Sequence, residues 1–157
     1  MATTGDSYPR DVHATILRQH AEIRARFRAL DACSAPAASA PGKVYARTSL
    51  RWLAARFDAH LAFEEQALGP WLRELDAWGP VREAAMLTEH VEQRARLERA
   101  CVAVEAEAAD GIDVEHEISW LVVSFLEDMA REERELEELA RLADGGLVDQ
   151  IDRKSVV

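Results

Sequence analysis

The chain has 157 residues, 48% of them hydrophobic and 31% charged, with a formal net charge of −10. That length suits one domain able to bury most of its apolar surface around a single core. The acidic excess argues against a nucleic-acid or anionic-membrane surface, since either needs concentrated Lys and Arg.

Ala, Leu, Glu and Arg dominate, and only seven Gly and five Pro interrupt them, which is the composition of a helix-rich protein. Residues 1–10 are polar, lack the apolar run of a signal peptide, and read as a disordered or extended N-terminus. No stretch approaches the roughly 20 apolar residues of a membrane span, so the expected compartment is the cytoplasm. Cys33 and Cys101 lie far apart without CxxC spacing, which speaks against a disulfide framework or a zinc site. Cys101 reads as a core residue and Cys33 as a loop thiol.

The first helical pattern runs from Asp11 to Leu30 and ends before an Ala/Ser/Pro-rich loop, Cys33 to Gly42. The second runs from Val44 to Leu75. Gly69-Pro70 threatens a kink or break there, because proline cannot donate the helical hydrogen bond, and Ala77-Trp78-Gly79-Pro80 closes the segment. The third occupies Val81 to Ala108, stopped by Asp110-Gly111. The fourth occupies Val114 to Ala143, stopped by Gly145-Gly146. No run of period-2 alternation suggests a sheet. Short connections make neighbours antiparallel, so the predicted fold is all-α, an up-down-up-down four-helix bundle over residues 11–145. Residues 146–157 form a short C-terminal tail, with a helical turn at its start.

A helix advances about 100° per residue, so each polar residue can be placed against the apolar stripe of its own helix. In the second helix Leu53, Phe57, Leu68 and Trp71 fall within roughly 40° of Glu64, with His60 roughly 40° to one side. The pair in His60-Leu61-Ala62-Phe63-Glu64-Glu65 therefore faces inward. His20 lies on the stripe of Ile16, Ile23 and Phe27, and His90 on that of Met86, Leu97 and Cys101. Glu132 lies among Ile118, Val122, Phe125, Met129, Leu136 and Leu139, with Asp128 at the stripe's edge. A lone core histidine is usually a hydrogen-bonded one, and a glutamate in an acidic run is usually solvated. Four helices each inserting an imidazole or carboxylate into a shared core point instead to a metal centre, because unsatisfied polar atoms there are costly. His13 and His116 read as structural or surface residues, and the tryptophans Trp52, Trp71, Trp78 and Trp120 as packing residues suiting core or helix-end positions.

These residues resemble the hemerythrin-like, or HHE cation-binding, domain family. The resemblance is carried by His20 in LRQHAEIR, His60 and Glu64 in HLAFEEQAL, His90 in TEHVEQRARL and Glu132 in DMAREERELEEL, and covers about Asp11 to Ala143. It implies a four-helix bundle holding an oxo- or hydroxo-bridged di-iron centre. Glu64 and Glu132 would bridge, His20 and His60 would bind one iron, and His90 would bind the other. Glu133 competes with Glu132, since its distance from Asp128 matches the spacing of oxygen carriers. The last helix departs from the family pattern at Asp128, where a histidine belongs, and Arg94 stands where oxygen carriers have a further one. Asp128 could ligate directly, ligate through water, or pair with Arg94 and leave the second position weak or empty. A single ion, or another divalent metal such as zinc or manganese, also suits this donor set.

The leading expectation is a di-iron protein that binds or reduces a small oxidant (O2, peroxide or NO) in sensing, storage or detoxification. The alternatives are an iron-responsive regulatory module without turnover, a reversible O2 carrier, and a purely structural bundle. Whether the chain is an enzyme stays open. The partners expected are a diatomic or peroxide ligand and a redox or regulatory protein, with a homodimer as an option and with neither nucleic acid nor membrane.

Overall fold

A computed structural model describes residues 9–32, 40–106 and 111–154. The helices are α1 (Arg10–Ala32), α2 (Ala40–Ala67), α3 (Gly69–Leu75), α4 (Gly79–Glu105) and α5 (Gly111–Lys154), and no strand occurs among the described residues. α1 packs on α2 and α5, and α4 packs on α2, α3 and α5. Taken with the chain order, this is the expected four-helix bundle, its second helix divided into α2 and α3. No helix among the described residues is long and apolar enough to cross a membrane. Residues 1–8, the Cys33 thiol and residues 155–157 lie outside the described residues.

The division falls at Leu68, immediately before Gly69-Pro70. Leu68 N–H still donates to Glu64 O at 2.8 Å and Leu72 N–H to Leu68 O at 2.9 Å, so backbone pairing carries on across the division. Pro70 sits in the first turn of α3, where a missing N–H costs nothing. The turn into α4 is held by Asp76, whose carboxylate accepts from Trp78 N–H at 2.8 Å and whose carbonyl accepts from Gly79 N–H at 2.9 Å. A Cβ on Gly79 would lie 2.4 Å from the carbonyl oxygens of both Leu72 and Arg73.

The last helix corrects one expected boundary. α5 does not stop near Ala143 but continues through Gly145-Gly146 to Lys154. A glycine stop requires the left-handed conformation after the last turn, and no glycine among the described residues has positive φ. Two helical glycines only lower propensity, by about 1 kcal/mol each.

The apolar stripes are buried as expected. Ile16, Ile23 and Phe27 in α1, Leu53 and Phe57 in α2, Leu97 in α4, and Ile118, Val122, Phe125, Met129 and Leu136 in α5 are all core residues. They form two clusters. The larger is centred on Phe27, Phe57 and Phe125, and the smaller comprises Ile16, Leu68, Leu72 and Leu136. Along each helix the ligand-type residue falls between members of the two: His20 between Ile16 and Ile23, Glu64 between Leu61 and Leu68, His90 between Met86 and Leu97, Glu132 between Met129 and Leu136. A polar layer therefore crosses the bundle between two apolar ones. Phe57 supports it from the larger cluster, its ring 5.6 Å from that of His60 and 4.7 Å from that of Phe125.

The tryptophans are less buried than expected. Trp78 caps the start of α4, a helix-end position, but Trp52 and Trp120 are exposed on the bundle surface. Trp52 lies under the Arg26 guanidinium, 5.4 Å from its ring centre, a contact that periodicity does not reveal. Cys101 is half-buried against the larger cluster.

Candidate metal centre

Three helices bring His20, His60, Glu64 and Glu132 together, with one potential ligand atom of each within 4.8 Å of the others. His60 Nε2 lies 3.0 Å from Glu64 Oε1 and 3.1 Å from His20 Nε2. His20 Nε2 lies 3.5 Å from Glu132 Oε2. α4 adds His90, whose Nε2 is 3.2 Å from the other Glu64 oxygen. Glu64 thus stands between imidazoles from two helices. His20, His60 and Glu64 are inaccessible to solvent, while Glu132 keeps 26% of its side-chain surface open.

The far side of each imidazole is held by a residue of an adjoining helix. Glu133 of α5 accepts from His20 Nδ1–H at 2.9 Å, Gln19 of α1 from His60 Nδ1–H at 2.7 Å, and Glu65 of α2 from His90 Nδ1–H at 3.0 Å. Glu133 and Glu65, as ionised carboxylates, only accept hydrogen bonds, and Gln19 presents its amide oxygen, an arrangement that puts the protons on Nδ1 and turns Nε2 inward as the candidate ligand atom. Glu133 is itself fixed by Arg24 at 2.8 Å and Glu65 by Arg94 at 2.8 Å. Between the two candidate carboxylates of α5, Glu132 turns toward the cluster and Glu133 holds His20 from outside. Gln19, Glu65 and Glu133 escaped sequence reasoning as a supporting set. Each adjoins a stripe residue in sequence, and that adjacency is the only signal they carry.

Electrostatics follow from this burial. Burial, then the neighbouring imidazoles His20 and His90, push the His60 pKa down to about 3, and burial lowers that of His20 despite Glu133. Both are neutral donors near pH 7. Glu64 is pushed up to about 7 by burial, and Glu132 well above the usual carboxyl range by burial and then by the charge of Glu64. Burial raises Glu133 too, but Arg24 and His20 together hold it below its ordinary value, and Arg94 does the same for Glu65. The supporting carboxylates are therefore ionised and the inward pair competes for protons.

Apart from the carboxyl of Glu132, with which it shares a hydrogen bond, Glu64 finds no hydrogen-bond partner among the described residues. Two carboxylates and three imidazoles turned toward one another inside an apolar bundle, with no lysine or arginine in the set, have the chemistry of a cation site. An oxygen- and nitrogen-rich set of this kind suits iron, zinc or manganese.

Asp128 stands apart from this cluster. Its Oδ2 lies 2.5 Å from Arg96 Nη2 and its Oδ1 3.3 Å from Arg131 Nη2. Arg94, the partner weighed for it, instead binds Asp58 at 2.7 Å and Glu65. His116 is exposed and His13 half-buried, and neither belongs to the cluster.

A cavity of about 180 Å³ lies between α3, α4 and α5 and reaches His90 and Glu132. Leu68, Leu72, Met86, Leu136 and Leu139 give it apolar walls, and Glu89 and Arg131, paired with each other, also line it.

Among known families, the model described as the hemerythrin HHE cation binding domain matches residues 11–142. No curated protein and no solved structure matches the chain.

Proposed function

The chain belongs to the hemerythrin HHE cation-binding domain family, and from that premise we propose that it holds iron at the polar layer and uses it to bind or reduce a small oxidant such as O2, peroxide or NO. The observation that carries the reading is Glu64, a fully buried carboxylate faced by the Nε2 atoms of His60 and His90 and partnered otherwise only by the carboxyl of Glu132 among the described residues. His20, His60, Glu64 and Glu132 would hold the metal, with His90 on the far side of Glu64. Bound iron would supply an electron-donating centre for a small oxidant.

The protein's own groups prepare that chemistry. Gln19, Glu65 and Glu133 fix the imidazole orientation and keep Nε2 free, which makes the rings better donors. Glu64 and Glu132 share protons near pH 7, so metal entry must displace them, and affinity falls as pH drops below about 7. The cavity, about 180 Å³, is smaller than the 300 Å³ or more that organic ligands occupy. Its apolar walls suit O2 or NO, and Glu89 and Arg131 offer polar contact to peroxide.

Reduction is favoured over reversible O2 carriage. Arg94 and Asp128 stand where imidazoles would stabilise the reduced state, and both are engaged elsewhere. An iron-responsive regulatory role is the second reading, supported by the same Glu64, whose uncompensated burial makes the metal-free protein less stable. Iron analysis of protein from iron-fed cells tests the main proposal, and iron-free protein whose stability ignores added Fe(II) would end it. Mixing the anaerobic reduced protein with O2 separates the chemistries: prompt irreversible oxidation is expected, and full recovery of O2 under vacuum would contradict it. Melts with and without chelator test the regulatory reading.

A further inference from the structure

We propose that the centre is lopsided: the position built by His20, His60, Glu64 and Glu132 binds its ion tightly, whereas a second position, on the His90 side, binds weakly and fills only when iron is abundant. The inference rests on the proposed iron-holding role.

The first position has two imidazoles and two carboxylates from three helices gathered within 4.8 Å. On the other side, among the described residues, His90 approaches the shared Glu64 at 3.2 Å from outside that set. The residue one turn before Glu132 on α5 is the natural further ligand, and it is Asp128. Its carboxylate is committed to Arg96 at 2.5 Å and Arg131 at 3.3 Å. Arg96 is largely buried, with its guanidinium 5.0 Å from the centre of the Phe125 ring, so this ion pair is packed into the bundle. Freeing Asp128 for a metal would leave Arg96 a buried, unpaired charge.

Nearby groups offer no substitute. Arg94, one turn after His90, has no lone pair and is held by Asp58 and Glu65. Glu89, which lines the adjoining cavity, is engaged by Arg131. The guanidinium charges of Arg96 and Arg131 also oppose a second cation on this side. Losing even an outer-shell partner weakens metal binding about 10- to 100-fold, which sets the smallest gap between the two positions. The cavity reaches both positions, through His90 on one side and Glu132 on the other.

The test is metal stoichiometry, independent of any turnover. The full chain is loaded anaerobically with Fe(II), dialysed against chelators of graded strength, and its iron measured by atomic emission. Wild type should keep one ion per chain at free Fe(II) levels where the second is lost, with dissociation constants about 10- to 100-fold apart. Asp128→His adds an imidazole and should keep both ions. Asp128→Asn removes the carboxylate without adding a strong ligand and should keep one, and its melting curve shows whether the fold tolerates the change. Two ions of equal affinity in wild type would overturn the inference and leave the iron reading standing. So would Asp128→His that melts normally yet keeps one ion. Failure to bind any iron would remove both.

Discussion

Replacing Glu64 with Gln should stabilise the metal-free protein at pH 8 and weaken the metal-loaded one. In the unfolded chain Glu64 titrates near its ordinary 4.5, and in the fold near 7. Below pH 4.5 the carboxyl is protonated in both states and its burial costs no ionisation penalty. Between 4.5 and 7 the unfolded chain releases the proton while the folded chain keeps it, so stability falls with rising pH, and above 7 the loss is complete. At about 1.4 kcal/mol per pH unit, the loss comes to about 3 kcal/mol. Glutamine carries no charge to bury, and its N–H can meet one of the facing Nε2 lone pairs. For a chain of this size the gain corresponds to about 6–12 °C in Tm.

Circular-dichroism melts in chelator from pH 4.5 to 8.5 would show the two proteins converging at the acid end and separating above pH 6. With iron the order should invert: a ligand at a thousand times its Kd adds about 4 kcal/mol to wild type, and the variant lacks the carboxylate needed to hold it. An E64Q protein that melts at or below wild type at pH 8 in chelator would refute the reasoning. It would mean that the charge of Glu64 is compensated by the groups around it, and that its burial is not what calls for a cation.

Gln19→Leu removes the acceptor for His60 Nδ1–H and should weaken metal binding about 10- to 100-fold in chelator competition; an unchanged affinity would mean that packing against Phe57 alone orients the ring. Phe57→Ala opens the aromatic support between His60 and Phe125 and should cost about 3–5 kcal/mol in urea unfolding, and a loss under about 1 kcal/mol would show that the layer collapses onto the gap. Gly79→Ala drives a Cβ into the Leu72 and Arg73 carbonyls, which are backbone and cannot rotate away, so a loss of about 1–3 kcal/mol is expected; a neutral melt would show that α3 shifts freely relative to α4.

The fold was readable because the bundle's core positions recur every three to four residues, and those positions became the buried stripes of α1, α2, α4 and α5. The break at Gly69-Pro70 was readable for a local reason, the missing N–H of proline. Gly145-Gly146 misled as a stop because a glycine ends a helix only by taking the left-handed conformation, and nothing in the local sequence shows that these two remain helical. The exposed tryptophans misled for the opposite reason. Their size suggests burial, yet Trp52 covers its ring with Arg26, a residue from a different helix.

The candidate site shows where angular reasoning ends. Helical angle says which way a side chain points, and it placed His20, His60, Glu64, His90 and Glu132 in one layer. It does not say whether a side chain arriving there is already engaged. Asp128 lies on the same turn of α5 as an expected ligand, but its availability depends on Arg96 of α4, thirty-two residues away and outside every motif. The same holds in reverse for Glu133, whose place on His20 depends on Arg24 of α1. Charge pairing between helices thus bears on which carboxylates of this bundle are left to face the polar layer. An arginine on a neighbouring helix can withdraw a carboxylate from a metal while leaving its own helix, stripe and spacing intact. Arg96→Met would separate pairing from position: if the ion pair is what withholds Asp128, releasing it should tighten the second metal position without altering a ligand-type residue. An unchanged second affinity would instead mean that the aspartate is too short to reach.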